Sequence, residues 1–286
     1  MIRLQTFLFS LTLAFWLTTF ATLTPAQVAT KPAPAAPAPI DIDARPNQTL
    51  VDSAVADDPA VNKMLEAYSP KVRALSEVIG KLKGDLRKGG VGAGSLGNFV
   101  TNGMRAEAER KLGKPVAVTV TNSGGLRKNV IAEGDLRLQD MFELLPFENA
   151  LVAFDLTGAQ VVELLRGVVG RRDAQSGAKV KYKLNEQKRP ELESVRLLVN
   201  GQEKEIDPAA IYTVISIDYL LRVTGGDYAV VLGRAQNIRP LGLTLRDALT
   251  QYVRAETAAG REIKATLDGR FVFEGPDGAT SEETPQ

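Results

Sequence analysis

Asn122, Arg127 and Phe147 are the side chains whose types and placement most suggest chemistry. All three lie in one stretch, Val116 to Phe147, which reads VAVTVTNSGGLRKNVIAEGDLRLQDMFELLPF. An amide both donates and accepts hydrogen bonds. A guanidinium carries a fixed charge and a planar fork of donors that suits phosphate or carboxylate. A phenyl ring offers an apolar face for stacking. This is binding chemistry. Gly124 and Gly125 stand between the amide and the guanidinium, and such a pair permits positive φ and lets a ligand approach the backbone closely.

Catalytic chemistry is harder to assemble. The chain has 286 residues, and none is histidine or cysteine. Ser-His-Asp and Cys-His catalysis are therefore excluded. The usual neutral metal ligand is missing, as is the usual general acid or base near neutral pH. Without cysteine there are no disulfides, thiolate metal sites or lipobox. Glu133, Asp135 and Asp140 could hold a divalent cation, but nothing in their spacing demands one; capping a helix N-terminus and filling its first turn uses them better. The net charge of +1 argues against a surface dedicated to nucleic acid.

The elements that position these groups follow from pattern. Val116 to Thr121 is β-prone and long enough for a buried strand. Asp135 opens a short amphipathic helix with Leu138, Met141, Phe142 and Leu145 on one side. Pro146 stops it, leaving Phe147 just past the end, where binding groups usually sit. Ser95 is placed to N-cap a helix over Leu96 to Leu112, which Gly113 ends. Residues 84–94, GDLRKGGVGAG, read as a connection or a phosphate cradle; no Lys-Ser/Thr follows, so the run is not a P-loop. Further along, Ala150 to Leu156 predicts a strand and Gly158 to Val169 a helix. Ala178 to Leu184, Leu192 to Asn200 and Ile211 to Ile217 read as strands, with a hairpin turn at Asn200-Gly201. A helix over Leu243 to Ala259 and a strand over Arg270 to Glu274 close the chain. Upstream, Val61, Leu65, Tyr68, Val72, Leu75 and Ile79 recur at helical spacing, which predicts one helix over Asp57 to Ile79 with its stripe against its own domain.

Five segments carry a resemblance: Ser95-Leu96-Gly97-Asn98-Phe99, Asn122-Ser123-Gly124-Gly125-Leu126-Arg127, Leu145-Pro146-Phe147-Glu148-Asn149, Leu156-Thr157-Gly158, and Asp218-Tyr219-Leu220 with Gly225-Gly226-Asp227. In order and type they resemble the C-terminal domain of the 5′-nucleotidase family, which includes periplasmic UDP-sugar hydrolases and ecto-5′-nucleotidases. The family carries Leu-Gly-Asn-Leu, Asn-Gly-Gly-Gly-Ile-Arg, Leu-Pro-Phe-Gly-Asn, Leu-x-Gly-x-x-Leu, and Asn-Phe-Leu then Gly-Gly-Asp-Gly at these places. The resemblance implies an α+β fold, a mixed β-sheet packed with helices, over residues 51–275.

The resemblance also implies roles. Phe147 and Tyr219 match two aromatics that sandwich a nucleobase, and stacking of this kind tolerates base identity. Arg127 matches an arginine on the ribose–phosphate side, Asn122 an asparagine that contacts the nucleoside, and Asp227 an aspartate that accepts from ribose hydroxyls. Members usually carry Arg-x-x-Glu-Ser-Asn just before Leu-Gly-Asn; here Gly92 and its neighbours stand in place of that phosphate-side arginine. Full-length members hydrolyse phosphoesters at a two-metal site in an N-terminal metallophosphatase domain rich in histidine. The implied ligand is thus a nucleotide or nucleoside, with no catalytic residue, metal or cofactor in this chain. Divalent metals are expected only on a metallophosphatase supplied as a separate chain. A binding protein without a catalytic partner, or a module retaining only the fold, are the other two outcomes open at this point.

Residues 1–26 read as a signal peptide: Arg3, an apolar run from Leu4 to Leu23, and Thr24-Pro25-Ala26 as a cleavage site. A retained anchor is the competing possibility, since the run nears spanning length; it is the only membrane contact expected. Either way the expected location is periplasmic or extracellular. Residues 27–50 form an Ala/Pro-rich linker, and 276–286 a polar, disordered tail.

Overall fold

In a computed structural model, residues 47–48, 50–275 and 280–281 are described. The expected signal peptide, most of the linker and most of the tail lie outside them. The chain divides into one unit ending at Ala56 and a second starting at Asp57. In the first, the described residues are exposed, and the Asp52 carboxylate accepts from the Ala54 amide in a tight turn.

The second unit opens with two short helices, α1 (Pro59–Glu66) and α2 (Ser69–Ala74). The single helix expected over Asp57 to Ile79 is therefore corrected. Pro70 has no amide to continue the first helix but suits the first turn of a new one, and Ile79 lies in a strand. The apolar stripe does not pack inward either: Val61, Leu65, Tyr68 and Val72 are exposed.

Next come β1 (Val78–Lys83), β2 (Leu86–Arg87), α3 (Gly94–Leu112), β3 (Val118–Thr121), a 3₁₀ turn over Ser123–Gly125, β4 (Val130–Ile131), β5 (Gly134–Arg137) and α4 (Leu138–Leu144). The chain continues through β6 (Ala150–Thr157), α5 (Gly158–Arg171), β7 (Ala174–Ser176), β8 (Ala178–Leu184), β9 (Pro190–Val199), β10 (Gln202–Lys204) and β11 (Ile211–Ile217). It ends with α6 (Asp218–Leu221), α7 (Asp227–Leu232), β12 (Gln236–Thr244), α8 (Leu245–Ala258), β13 (Ile263–Lys264), β14 (Phe271–Glu274) and β15 (Thr280–Ser281). The tail thus adds a short strand paired with β14, where disorder was expected.

Two five-stranded sheets dominate, ordered β12-β6-β11-β3-β7 and β10-β9-β8-β14-β15. Each mixes one parallel pair with antiparallel ones, as the α+β reading requires. Helix α3 packs against α8, β7 and β3, and α5 against β6 and β9. Leu96, Phe99, Val100 and Met104 of α3 join Val118, Val120, Phe154, Val214 and Leu249 in one core. The Asn200-Gly201 turn is as expected: both residues have positive φ, joining β9 to β10.

Three local expectations change. Ser95 is not the N-cap of α3; Ala93, in the left-handed region, holds that place, and the Ser95 hydroxyl accepts from the Arg87 amide at 2.9 Å. Asp135 lies in β5, and α4 starts at Leu138, where Asp140 accepts from the Arg137 amide. Residues 84–94 are more than a connection. They contribute β2 and press Gly92 against the Phe271 ring so closely that no side chain would fit. They also line a cleft of about 430 Å³ with Asn98, Asp268 and Arg270.

Candidate functional site

Register places the candidate residues. Strands β3 and β11 are parallel neighbours, so Asn122 and Tyr219, which follow their last residues, leave the sheet at the same end. Strand β6 is antiparallel to β11, with Leu151 opposite Ile217, so Phe147 enters the sheet at that end too. Strand β12 finishes there, Thr244 opposite Ala150, and β7 starts there, Ala174 opposite Thr121. One end of a single sheet therefore gathers Asn122, Phe147 and Tyr219, together with Asp173 just before β7 and Arg246 in the first turn of α8.

The two rings are available. Phe147 and Tyr219 are each 49% exposed. The Asp218 carboxylate accepts from the Ala150 amide at 3.0 Å, which pins the Tyr219 helix to the strand that the Phe147 loop feeds. Arg127 is exposed, with its guanidinium carbon 6.0 Å from the centre of the Phe147 ring. It donates to the Gly124 carbonyl at 3.2 Å, and its amide donates to the Leu144 carbonyl.

Gly124 and Gly125 form a 3₁₀ turn, and neither takes positive φ, so that expectation is corrected. Their lack of side chains serves Asn122 instead: a methyl group on Gly125 would crowd the Asn122 Oδ1 at 3.1 Å. That Oδ1 is buried and has no hydrogen-bond partner among the described residues. A buried acceptor without a donor is costly unless water or a ligand supplies one.

Two cations beside the turn are committed within the protein. Lys88 donates to the Leu126 carbonyl at 2.9 Å. Lys128 bridges Asp140 and Glu143; burial works against its charge, but the two carboxylates outweigh it and hold the ammonium above its ordinary pKa. Asp227 opens α7, and its side chain lies outside the described residues. Asn98, on α3, donates to the Thr266 carbonyl, a local structural role.

Two residues that pattern reading did not single out hold the site. Asp173 is 2% exposed and accepts from the Ser123 amide at 2.7 Å and the Tyr228 hydroxyl at 2.8 Å. Arg246, 7% exposed, lies behind the Phe147 loop. Neither stands in a periodic pattern. Only the strand register brings them here.

The family model of the 5′-nucleotidase C-terminal domain matches residues 76–233. The chain belongs to this family. All five candidate residues fall within the matched segment, and Arg246 falls beyond it. Among curated relatives, the Trifunctional nucleotide phosphoesterase protein YfkN of Bacillus subtilis is 27% identical over 62% of this chain and 12% of its own length. Protein UshA of Yersinia enterocolitica is 26% identical over 70% of this chain and 35% of its own. The chain thus spans about a third or less of the length of these relatives. Among solved structures, the 5′-nucleotidase precursor of Thermus thermophilus has a TM-score of 0.61 at 26% identity, covering 77% of this chain and 44% of that one. The NAD nucleotidase of Haemophilus influenzae, at 20% identity and a TM-score of 0.55, shares the fold.

Proposed function

We propose that this chain is an exported nucleotide- or nucleoside-recognition domain. A base stacks between Phe147 and Tyr219, Asn122 Oδ1 accepts from the ligand, Arg127 lies on its ribose–phosphate side, and Asp227 accepts from its ribose hydroxyls. The gathering of two half-exposed rings and an unpartnered amide oxygen at one end of a sheet carries this proposal. Stacking contributes about 1–3 kcal/mol per base, enough to make the rings the main anchors.

Phosphoester hydrolysis needs water activation, which in a two-metal site rests on histidine and carboxylate ligands. These 286 residues contain no histidine. We propose that the water attack falls to a separate metallophosphatase, which would carry the divalent metals, and that this chain would serve nucleotide catabolism by presenting the substrate. The leader at residues 1–26 supports a periplasmic or extracellular location. Purified protein given AMP or UDP-glucose with divalent metal should release no phosphate. A pull-down from envelope extract should recover a histidine-bearing phosphatase. Phosphate release by the chain alone would contradict the assignment.

A second possibility is a nucleoside-binding protein with no catalytic partner. Its support is the glycine run at residues 89–92, where the family's phosphate-side arginine is absent and Gly92 is packed against Phe271. Equal affinity for adenosine and AMP, without stimulation of any phosphatase, would favour it.

A further inference from the structure

The family motif at the stacking loop is Leu-Pro-Phe-Gly-Asn, and this chain has Glu148 where the glycine stands. A glycine there leaves the loop free on that side; a glutamate can be held. Glu148 is ion-paired with Arg246, at the start of α8. The pair is asymmetric. The Glu148 side chain is 74% exposed, while that of Arg246 is 8% exposed.

Arg246 is fixed from three directions. Its Nη1 donates to the Leu145 carbonyl at 3.0 Å. Its guanidinium carbon lies 4.2 Å from the centre of the Phe142 ring, within cation–π range. Its Nη2 meets the Glu148 carboxylate. One guanidinium therefore holds the backbone two residues before Phe147 and the side chain one residue after it. The neighbouring Leu245 amide donates to the Asn149 carbonyl at 2.8 Å, which closes the loop's far side. The Thr244–Asp247 capping box fixes the first turn of α8, so these donors sit on a rigid element.

We propose that Arg246 and Glu148 form a clamp that holds the Phe147 loop in its binding conformation before ligand arrives. As a positioning device it rests on the assignment of Phe147 as a stacking ring. Ordering a loop in advance removes that entropy cost from the binding step, so the clamp raises affinity without touching the ligand. Arg246 lies beyond the segment that the family model matches, and Glu148 departs from the family motif. Removing Glu148 strands a buried guanidinium with half its polar partners, and the loop relaxes to find others.

The test uses the full chain and Glu148 variants, because Glu148 is exposed and its replacement spares the core. Amide hydrogen exchange is read at Ala150 and Leu245, both hydrogen-bonded beside the loop, and adenosine affinity by calorimetry. Glu148→Gly should speed exchange at these amides about tenfold and weaken adenosine by about three- to tenfold, in a variant that stays folded by circular dichroism. Glu148→Gln, which keeps an acceptor for Arg246, should recover most of both losses. Wild-type exchange at Ala150 and Leu245 in Glu148→Gly would overturn the clamp. So would faster exchange with unaltered adenosine affinity, provided Phe147→Ala does abolish binding. If Phe147→Ala binds adenosine as wild type does, the stacking assignment fails, and the exchange result decides the clamp alone.

Discussion

The Asp173 carboxylate accepts the Tyr228 hydroxyl on one oxygen at 2.8 Å, while its other oxygen takes the Ser123 amide at 2.7 Å. A single buried side chain therefore joins the glycine turn that carries Asn122 to the helix that Asp227 opens. Arg171 adds a weaker contact at 3.4 Å and lies over the Tyr228 ring. Two parts of the site that are distant in sequence are fixed to each other from beneath.

Removing that carboxylate should be costly. Asp173→Ala strands the Ser123 amide and the Tyr228 hydroxyl, and it should lower stability by about 2–3 kcal/mol. Tyr228→Phe removes one hydroxyl and should cost about 1 kcal/mol. Urea unfolding followed by circular dichroism measures both.

Close packing of α3 makes a second prediction. A Cβ at Gly97 would overlap the Gly92 carbonyl oxygen and crowd Ala174. Gly97→Ala should therefore destabilise by about 2–3 kcal/mol, because backbone cannot move aside cheaply. Gly170, inside α5, has open space around it and ordinary φ. Gly170→Ala should be neutral or stabilising by about 0.5–1 kcal/mol. Thermal melts of the two variants should move in opposite directions.

Acid stability has an identifiable contributor. Burial alone would raise the Asp268 carboxyl, but the hydrogen bonds and charge of Arg270 overcome it and hold the group below its ordinary value of 3.8. A carboxylate with a lowered pKa in the folded state stabilises fully above the unfolded value and loses that contribution as pH falls through the folded one. Asp268→Asn should thus show a constant stability deficit from pH 7 down to about 4, shrinking below that. Urea midpoints across this range provide the check; a deficit that grew on acidification would contradict the assignment.

Charge and stacking should separate at the ligand. Arg127 is exposed, and among the described residues its guanidinium meets the Gly124 carbonyl and the Phe147 ring face. Arg127→Ala should leave the melting temperature within a degree or so. It should weaken AMP about tenfold, since a charge-assisted contact is lost, and adenosine much less. Equal losses for the two ligands would place Arg127 elsewhere than on the phosphate side.

Much of the fold was legible because its elements announce themselves locally. The strands at Ala178 to Leu184 and Ile211 to Ile217 end where pattern placed them, and the hairpin at Asn200-Gly201 follows from two residues that tolerate positive φ. Pattern overextends the early helix because helical spacing persists across Pro70 even though the helix does not. Ser95 looks like a cap because it is a hydroxyl before an apolar run, whereas tertiary pairing with Arg87 claims it. For the candidate site, the turn and both rings could be read from motifs. Asp173 and Arg246 could not. Their partners lie 50, 55, 98 and 101 residues away, and only the strand register brings them together.

The central claim is that Phe147 and Tyr219 hold a nucleobase. Isothermal calorimetry of adenosine against the full chain tests it most directly, with Phe147→Ala alongside. The account predicts one adenosine bound per chain, and affinity reduced about tenfold or more in a folded Phe147→Ala variant. Folded wild-type protein that binds no adenosine, or a Phe147→Ala variant that binds it equally well, would contradict the claim.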